Sequence, residues 1–244
     1  MTLNKPTSQM FPWVDKTVNP IRGRCPHQCS YCYVKDSRAK HLYQDEPHLV
    51  ESALGAIRGK GKTVFIGSMI DMWADDIHGG FISKVLARCQ QFPNNTYVFL
   101  TKNPGRYNNF FFELPPDTML GITLETNEYE NDFSEAPDPA ARAWAFAGLP
   151  LPPYKLTKFV SIEPIMNFTY PPLGHIPPSL DDLIKDIKPT FVSIGADSKD
   201  NKLPEPPAQK VSKLIERLSE FTEVRIKPNM KRLMVEKKEG GGKR

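Results

Sequence analysis

Residues 158–164 read KFVSIEP, a mainly apolar run that ends in a carboxylate and a proline. A continuous apolar run, unlike a polar and apolar alternation, is typical of a strand buried on both faces of a parallel sheet. Six further runs of this kind begin at residues 17, 63, 96, 119, 190 and 223. We therefore predict a sheet of six to seven parallel strands.

Segments with helical periodicity separate these runs. They cover residues 47–57, 79–92, 180–187 and 207–221, with a shorter candidate at 140–146. A repeated alternation of strand and helix is the pattern of βα units. The sequence thus predicts an α/β fold with a single partial or complete (β/α) barrel over residues 1–228.

The charge of the chain is concentrated at its C-terminal end. The 244 residues carry a net charge of +4, but residues 227–244 contain seven Lys or Arg against two Glu, so the rest of the chain has a net charge of −1. The barrel therefore has no basic excess of the kind that predicts nucleic-acid binding. We expect residues 229–244 to form a basic, flexible tail.

The hydropathy pattern predicts a cytoplasmic protein. No window of about 18 uninterrupted apolar residues is present, so no transmembrane helix is expected. The first residues lack the charged and then apolar order of a signal peptide.

Polar or charged residues follow most of the apolar runs. They are Gly67, Ser68 and Asp71 after the second run, Lys102 after the third, Glu125 after the fourth and Glu163 after the fifth. Because the C-terminal ends of parallel strands share one face of a barrel, we expect these groups to line one site. The structural alternative is that each group ends a strand or caps a helix, and that Lys102 pairs with Glu163.

A C-x₃-C-x₂-C motif, formed by Cys25, Cys29 and Cys32, follows the first run. Clustered cysteines in a cytosolic chain indicate metal or redox chemistry before disulfides. A structural zinc site would need a fourth ligand, His27 or His41. A [4Fe–4S] cluster normally takes four cysteines, so three would leave one iron open to a substrate or cofactor.

The fourth cysteine, Cys89, lies among apolar residues in a helical segment, where we expect a buried structural thiol.

With Tyr31 before its last cysteine and a strand before it, the motif resembles that of the radical S-adenosylmethionine superfamily. The resemblance implies that Cys25, Cys29 and Cys32 hold a [4Fe–4S] cluster and that S-adenosylmethionine chelates its open iron. It also implies reductive cleavage of that cofactor to a 5′-deoxyadenosyl radical, which abstracts hydrogen from a substrate. A flavodoxin- or ferredoxin-like protein would then be the electron donor.

Further motifs resemble a phage- and prokaryote-encoded branch of three-Cys-motif radical proteins. They are NP at 19–20, SMID at 68–71, LTKNP at 100–104, GITLE at 121–125, SIEP at 161–164 and GADS at 195–198. By position, the resemblance implies cofactor contacts by Tyr31, Gly67, Ser68, Asp71, Lys102, Glu125 and Glu163.

The substrate is left open by these motifs, with a nucleotide or nucleic acid among the candidates. The aromatic residues Tyr107, Phe110, Phe111 and Phe112 could stack on bases, although we expect Phe110, Phe111 and Phe112 to end a helix that packs against the core. The alternative function is a zinc-stabilised nucleic-acid-binding protein without catalysis. That alternative does not explain seven buried strands with polar ends.

Overall fold

A computed structural model describes residues 11–234 apart from residues 36, 38–39, 129–132, 151–154 and 173. Its nine strands are β1 (Lys16–Val18), β2 (Ile21–Arg22), β3 (His48–Leu49), β4 (Thr63–Ile66), β5 (Thr96–Thr101), β6 (Asp117–Thr123), β7 (Lys155–Ile162), β8 (Phe191–Ile194) and β9 (Glu223–Ile226). The α-helices are α1 (Glu51–Leu54), α2 (Gly79–Gln90), α3 (Pro139–Ala147), α4 (Leu180–Ile187), α5 (Ala208–Ser219) and α6 (Lys231–Met234). Three 3₁₀ helices cover Lys40–Tyr43, Pro104–Glu113 and Pro228–Met230.

Seven strands form one parallel sheet in the order β1-β4-β5-β6-β7-β8-β9. Each neighbour in the sheet is also the next of these strands along the chain, as expected of successive βα units. All seven predicted runs are strands of this sheet, so the predicted α/β partial barrel is confirmed. All the C-terminal strand ends therefore lie on one face.

The helices agree with the sequence prediction except near residue 50. Helix α4 has the predicted bounds, and α2, α3 and α5 differ from prediction by one or two residues at an end. Helix α1 covers only four of the predicted 11 residues, because residues 48–49 pair with β2 as an antiparallel strand. The 3₁₀ helix Pro104–Glu113 was not predicted as an element of its own.

A small apolar cluster fills the inside of the sheet's curve. The rings of Phe159 and Phe191 are stacked with centroids 5.2 Å apart. Phe11, from the segment before β1, meets the ring of Phe159 edge-on at 5.8 Å and is itself 3% exposed. Because β1 and β9 do not pair with each other, this N-terminal segment contributes to the closure of the partial barrel.

The barrel domain extends beyond the predicted boundary at residue 228. Met230 is fully buried, and the Asn229 amide donates to the Ala196 carbonyl at 2.8 Å. The Arg232 guanidinium pairs with Glu205. Residues 229–234 thus pack on the barrel instead of starting a tail, and residues 235–244 lie outside the described part of the chain. None of the described helices is long and apolar enough to cross a membrane.

Gly121→Ala is expected to lower the free energy of unfolding by about 1–3 kcal/mol, because the site is already filled. A Cβ at Gly121 would lie 2.3–2.6 Å from the ring of Phe159 on the neighbouring strand. Gly105→Ala is the matched control, since its nearest neighbours would be at 3.9 Å or more. Urea denaturation of both variants measures the difference, and equal stabilities would contradict this account of the packing.

Candidate active site

A cavity of about 320 Å³ opens at the C-terminal face of the sheet. All three motif cysteines line it, as do six of the other predicted site residues: Tyr31, Gly67, Ser68, Asp71, Lys102 and Glu163. Phe11 and Lys227 also contribute to its wall. The remaining predicted residue, Glu125, is fully buried and does not line the cavity. Our expectation that Glu125 faces the cavity is therefore wrong.

The cysteine loop is built from consecutive tight turns. The backbone N–H of Gln28 donates to the Cys25 carbonyl, and that of Cys32 donates to the Cys29 carbonyl, both at 3.2 Å. Gln28 has a positive φ of 46°, which reverses the chain between the first two cysteines. The Lys35 ammonium donates to the carbonyls of Gln28 and Cys29 at 3.0 and 2.9 Å. These bonds fix the loop that carries the sulfurs.

The environment of the sulfurs favours the neutral thiol when no metal is present. Burial raises the pKa of Cys25 to about 12 and the nearby Asp71 adds to this, against opposing backbone hydrogen bonds from Asp71 and His27. Burial also raises the pKa of Cys32, against hydrogen bonds from the backbone of Val34 and Lys35. A thiolate at either position needs a compensating positive charge, which bound iron supplies.

The three cysteines are compatible with the ligand set of an iron–sulfur cluster. In a [4Fe–4S] cluster each cysteine ligates a different iron, so its ligands need not meet at one point. Three free thiols around one cavity match that requirement.

The two histidines considered as zinc ligands, His27 and His41, lie in different environments. The Nε2 atom of His27 lies 3.0 Å from Asp71 Oδ2, and both side chains are largely buried. His41 lies on the exposed 3₁₀ helix Lys40–Tyr43. His27 lines the cavity with the three cysteines, but its Nε2 atom is paired with Asp71, and His41 does not line the cavity.

Asp71 ties the cysteine loop to the ends of two strands. Its Oδ2 accepts from the Thr101 hydroxyl at 2.9 Å and the Lys102 backbone N–H at 2.7 Å, besides its contact with His27. Burial by itself raises the pKa of Asp71, but the charge and hydrogen bond of His27, with two backbone donors, hold the pKa below its usual value. Asp71 is therefore a carboxylate that positions the loop.

Glu125 is the centre of a buried charge network next to the cysteine loop. Its Oε2 lies 2.8 Å from Arg142 Nη1, and both side chains are fully buried. Its Oε1 pairs with Lys102 and accepts from the Tyr31 hydroxyl at 2.9 Å. Since Tyr31 stands between Cys29 and Cys32, this network connects the core of the barrel to the cysteine motif.

Glu163 pairs with Lys227 across the cavity wall. The structural alternative of a Lys102–Glu163 pair is therefore wrong, since each forms an ion pair with another residue. Gly195 leaves room for this carboxylate, because a Cβ at Gly195 would lie 2.5 Å from Glu163 Oε1. Lys227 directly follows β9, but only its partner Glu163 was among the predicted site residues.

The remaining sequence predictions concern packing. Cys89 is fully buried in α2, as predicted. Tyr107, Phe110 and Phe111 are buried in the core, whereas Phe112 is 89% exposed, so the expected core packing of Phe112 is wrong. The first three are therefore not available to stack on bases in this conformation.

Comparison with solved structures finds the same fold in spore photoproduct lyase. A variant of spore photoproduct lyase with bound AdoMet and dinucleoside spore photoproduct is 12% identical, with a TM-score of 0.63 over 93% of this chain and 78% of that one. A second variant, with dinucleoside spore photoproduct, is 11% identical, with a TM-score of 0.61 and the same coverage. Methylornithine synthase (PylB) is 10% identical, with a TM-score of 0.48 over 93% of this chain and 77% of that one.

The chain therefore has the α/β partial-barrel fold of spore photoproduct lyase. Within that fold it belongs to the DUF5131 family, described as proteins of unknown function, whose profile matches residues 8–171. No curated protein matches the chain in sequence.

Proposed function

We propose that the protein is a radical S-adenosylmethionine enzyme in which Cys25, Cys29 and Cys32 hold a [4Fe–4S] cluster. The observation that carries the proposal is that the three cysteines line the same cavity as the polar groups that end the strands. When bound, the cluster and S-adenosylmethionine would supply reductive cleavage to a 5′-deoxyadenosyl radical that abstracts hydrogen from the substrate. The shared fold supports this assignment, and the motif resemblance narrows it to the phage and prokaryote branch.

The protein's own residues would bind and orient the cofactor beside the cysteines. Gly67 has a φ of +80°, and this turn after β4 brings Ser68 and Asp71 to the cavity. The Glu163–Lys227 pair presents both signs of charge on the cavity wall. An amino-acid moiety carries the same two charges, so this pair is suited to orient the methionyl end of the cofactor.

Tyr31 has a defined orientation, because its hydroxyl donates to Glu125 and accepts from the Lys102 ammonium at 2.7 Å. Tyr31 and Lys102 would therefore form a rigid wall of the cofactor site, with Glu125 as a positioning residue behind them. Phe11 contributes an apolar group to the same cavity. Apolar walls keep water from a reactive intermediate.

We further propose that the protein acts in the cytoplasm and receives electrons from a flavodoxin- or ferredoxin-like protein. Its substrate is left open by the site. A nucleotide or nucleic acid is one candidate substrate. It would have to enter through the open side of the 320 Å³ cavity.

The proposal is tested by anaerobic reconstitution with iron and sulfide. We expect a brown protein whose reduced EPR spectrum changes on addition of S-adenosylmethionine, and 5′-deoxyadenosine that is detectable by mass spectrometry after reduction. An unchanged spectrum at saturating cofactor, together with no 5′-deoxyadenosine, would contradict the proposal.

Glu163→Gln is expected to slow the formation of 5′-deoxyadenosine by about a hundredfold, because it removes a charged contact to the reacting complex. The fold and the iron content should be retained, with a smaller loss of stability than for a fully buried carboxylate, since the Glu163 side chain is 22% exposed. Glu223→Gln is the matched control: this exposed carboxylate is at the opposite end of β9 and pairs with Arg225. A Glu163→Gln protein with unchanged cleavage would remove Glu163 from the site.

A further inference from the structure

The loop after β6 is hydrogen-bonded to the cysteine motif at several points. Ser30 N–H donates to the Phe133 carbonyl and Glu135 N–H donates to the His27 carbonyl, both at 2.8 Å. The Gln28 amide donates to the Glu135 carboxylate at 2.9 Å. The cysteine loop is thus held by a segment more than a hundred residues further along the chain.

Ser134 lies at the centre of this contact and reaches a motif sulfur. Its Oγ is 3.2 Å from Cys29 Sγ, and the residue is only 5% exposed. The same Oγ is 3.3 Å from the His27 carbonyl and accepts from the Ala136 N–H at 3.2 Å. The serine hydroxyl therefore has two neighbours that can accept its single hydrogen.

The hydrogen-bond donors and acceptors around Ser134 determine the direction of its hydroxyl hydrogen once Cys29 ligates iron. A thiol can donate to Ser134, but an iron-bound thiolate can only accept. The His27 carbonyl already has the Glu135 N–H as a donor at 2.8 Å, so it keeps a partner when the hydroxyl turns away. Ala136 N–H occupies an acceptor position of the serine oxygen. The hydroxyl hydrogen is thus free to point at the sulfur.

We propose that Ser134 is a positioning residue whose hydroxyl donates a hydrogen bond to the Cys29 thiolate and thereby raises the reduction potential of the cluster. Reduction adds negative charge, part of which resides on the ligating sulfurs, so a donor stabilises the reduced state more than the oxidised one. Hydrogen bonds to the sulfurs are one of the means by which a protein sets this potential. The inference rests on the proposed function, because it requires that the cluster binds.

The Cys29 sulfur has a side-chain hydrogen-bonding partner, the Ser134 hydroxyl at 3.2 Å. The donor to Cys29 is a side chain, which a substitution can remove without altering the backbone. It also belongs to the loop after β6, so a movement of that loop would change the potential of the cluster.

The test compares the midpoint potential of the reconstituted cluster in the wild type, Ser134→Ala and Ser134→Thr by EPR-monitored redox titration. We expect a shift to more negative potential in Ser134→Ala. Ser134→Thr retains a hydroxyl and should stay closer to the wild-type potential. If either variant binds less iron, the midpoint is still measurable, because it does not depend on the fraction of protein that holds a cluster.

An unchanged or more positive midpoint in Ser134→Ala would overturn the inference. An equal negative shift in Ser134→Thr would overturn it as well, since that result would assign the effect to packing and not to the hydroxyl. A wild-type protein that binds no cluster would overturn the proposed function and this inference together. The two failures are distinguishable because iron content is measured before the titration.

Discussion

Replacing Cys25, Cys29 or Cys32 with alanine, one at a time, is expected to abolish the brown colour and the stoichiometric iron of the reconstituted protein. Each sulfur would ligate a different iron of the cluster, so the loss of one thiol leaves that iron without its protein ligand. Iron and sulfide analysis with visible absorption measures the loss. Circular dichroism on the same samples shows whether the barrel is retained.

Cys89→Ala is the matched control for these three variants. Its thiol is fully buried within α2, and burial raises its pKa far above the ordinary value, so it is a poor ligand. We expect iron content equal to that of the wild type. Loss of iron from Cys89→Ala as complete as that from the other variants would contradict the three-ligand site.

The strands could be predicted because each carries its own signal. Strands buried on both faces need continuous apolar runs, and all seven runs identified in the sequence are paired in parallel. Chain order equals sheet order, so no knowledge of distant contacts was required to place Ser68, Lys102 and Glu163 on one face. The cysteine motif was equally local, since its three residues span eight positions.

The partners of the charged groups could not be predicted in the same way. Lys102 follows its strand directly, yet sequence alone does not decide whether it pairs with Glu163 or Glu125. The structure selects Glu125, because Lys227 at the end of β9 is the partner of Glu163. Arg142 lies in α3 and gives no sign in the sequence that its side chain is fully buried.

The contact between Ser134 and Cys29 could not be predicted from the sequence for a related reason. The two residues are 105 positions apart, and a single serine in a loop carries no periodicity or motif. The packing of Phe11 could not be predicted either, because its position inside the barrel depends on the open edge between β1 and β9. Such contacts are determined by the tertiary fold, and sequence patterns predict the elements better than the contacts between them.

Glu125→Gln is expected to lower the free energy of unfolding by about 3–5 kcal/mol, because it leaves two buried cations without their carboxylate. Arg142 is fully buried, and Lys102 is 8% exposed. The glutamine retains the size of the side chain, so the effect measures the loss of charge more than a loss of packing. Urea denaturation of the metal-free protein gives the value.

Glu51→Gln provides the comparison for this effect. The Glu51–Lys84 pair has the same 2.8 Å separation as Glu125–Arg142, but its side chains are 66% and 61% exposed. Surface pairs of this kind contribute about 0.2–1 kcal/mol. A small and equal effect of both substitutions would show that the buried network is not held together by the charge of Glu125.

Iron loading is expected to fall together with stability in Glu125→Gln, because Tyr31 would lose its carboxylate acceptor. Tyr31 lies between two motif cysteines, so a change in its position is transmitted to the loop that carries both sulfurs. Glu163→Gln should show a different pattern, with iron retained, a smaller loss of stability and cofactor cleavage impaired. A Glu125→Gln protein that is as stable as the wild type but no longer cleaves the cofactor would instead place Glu125 in contact with the reacting groups, which its complete burial behind Lys102 and Tyr31 argues against.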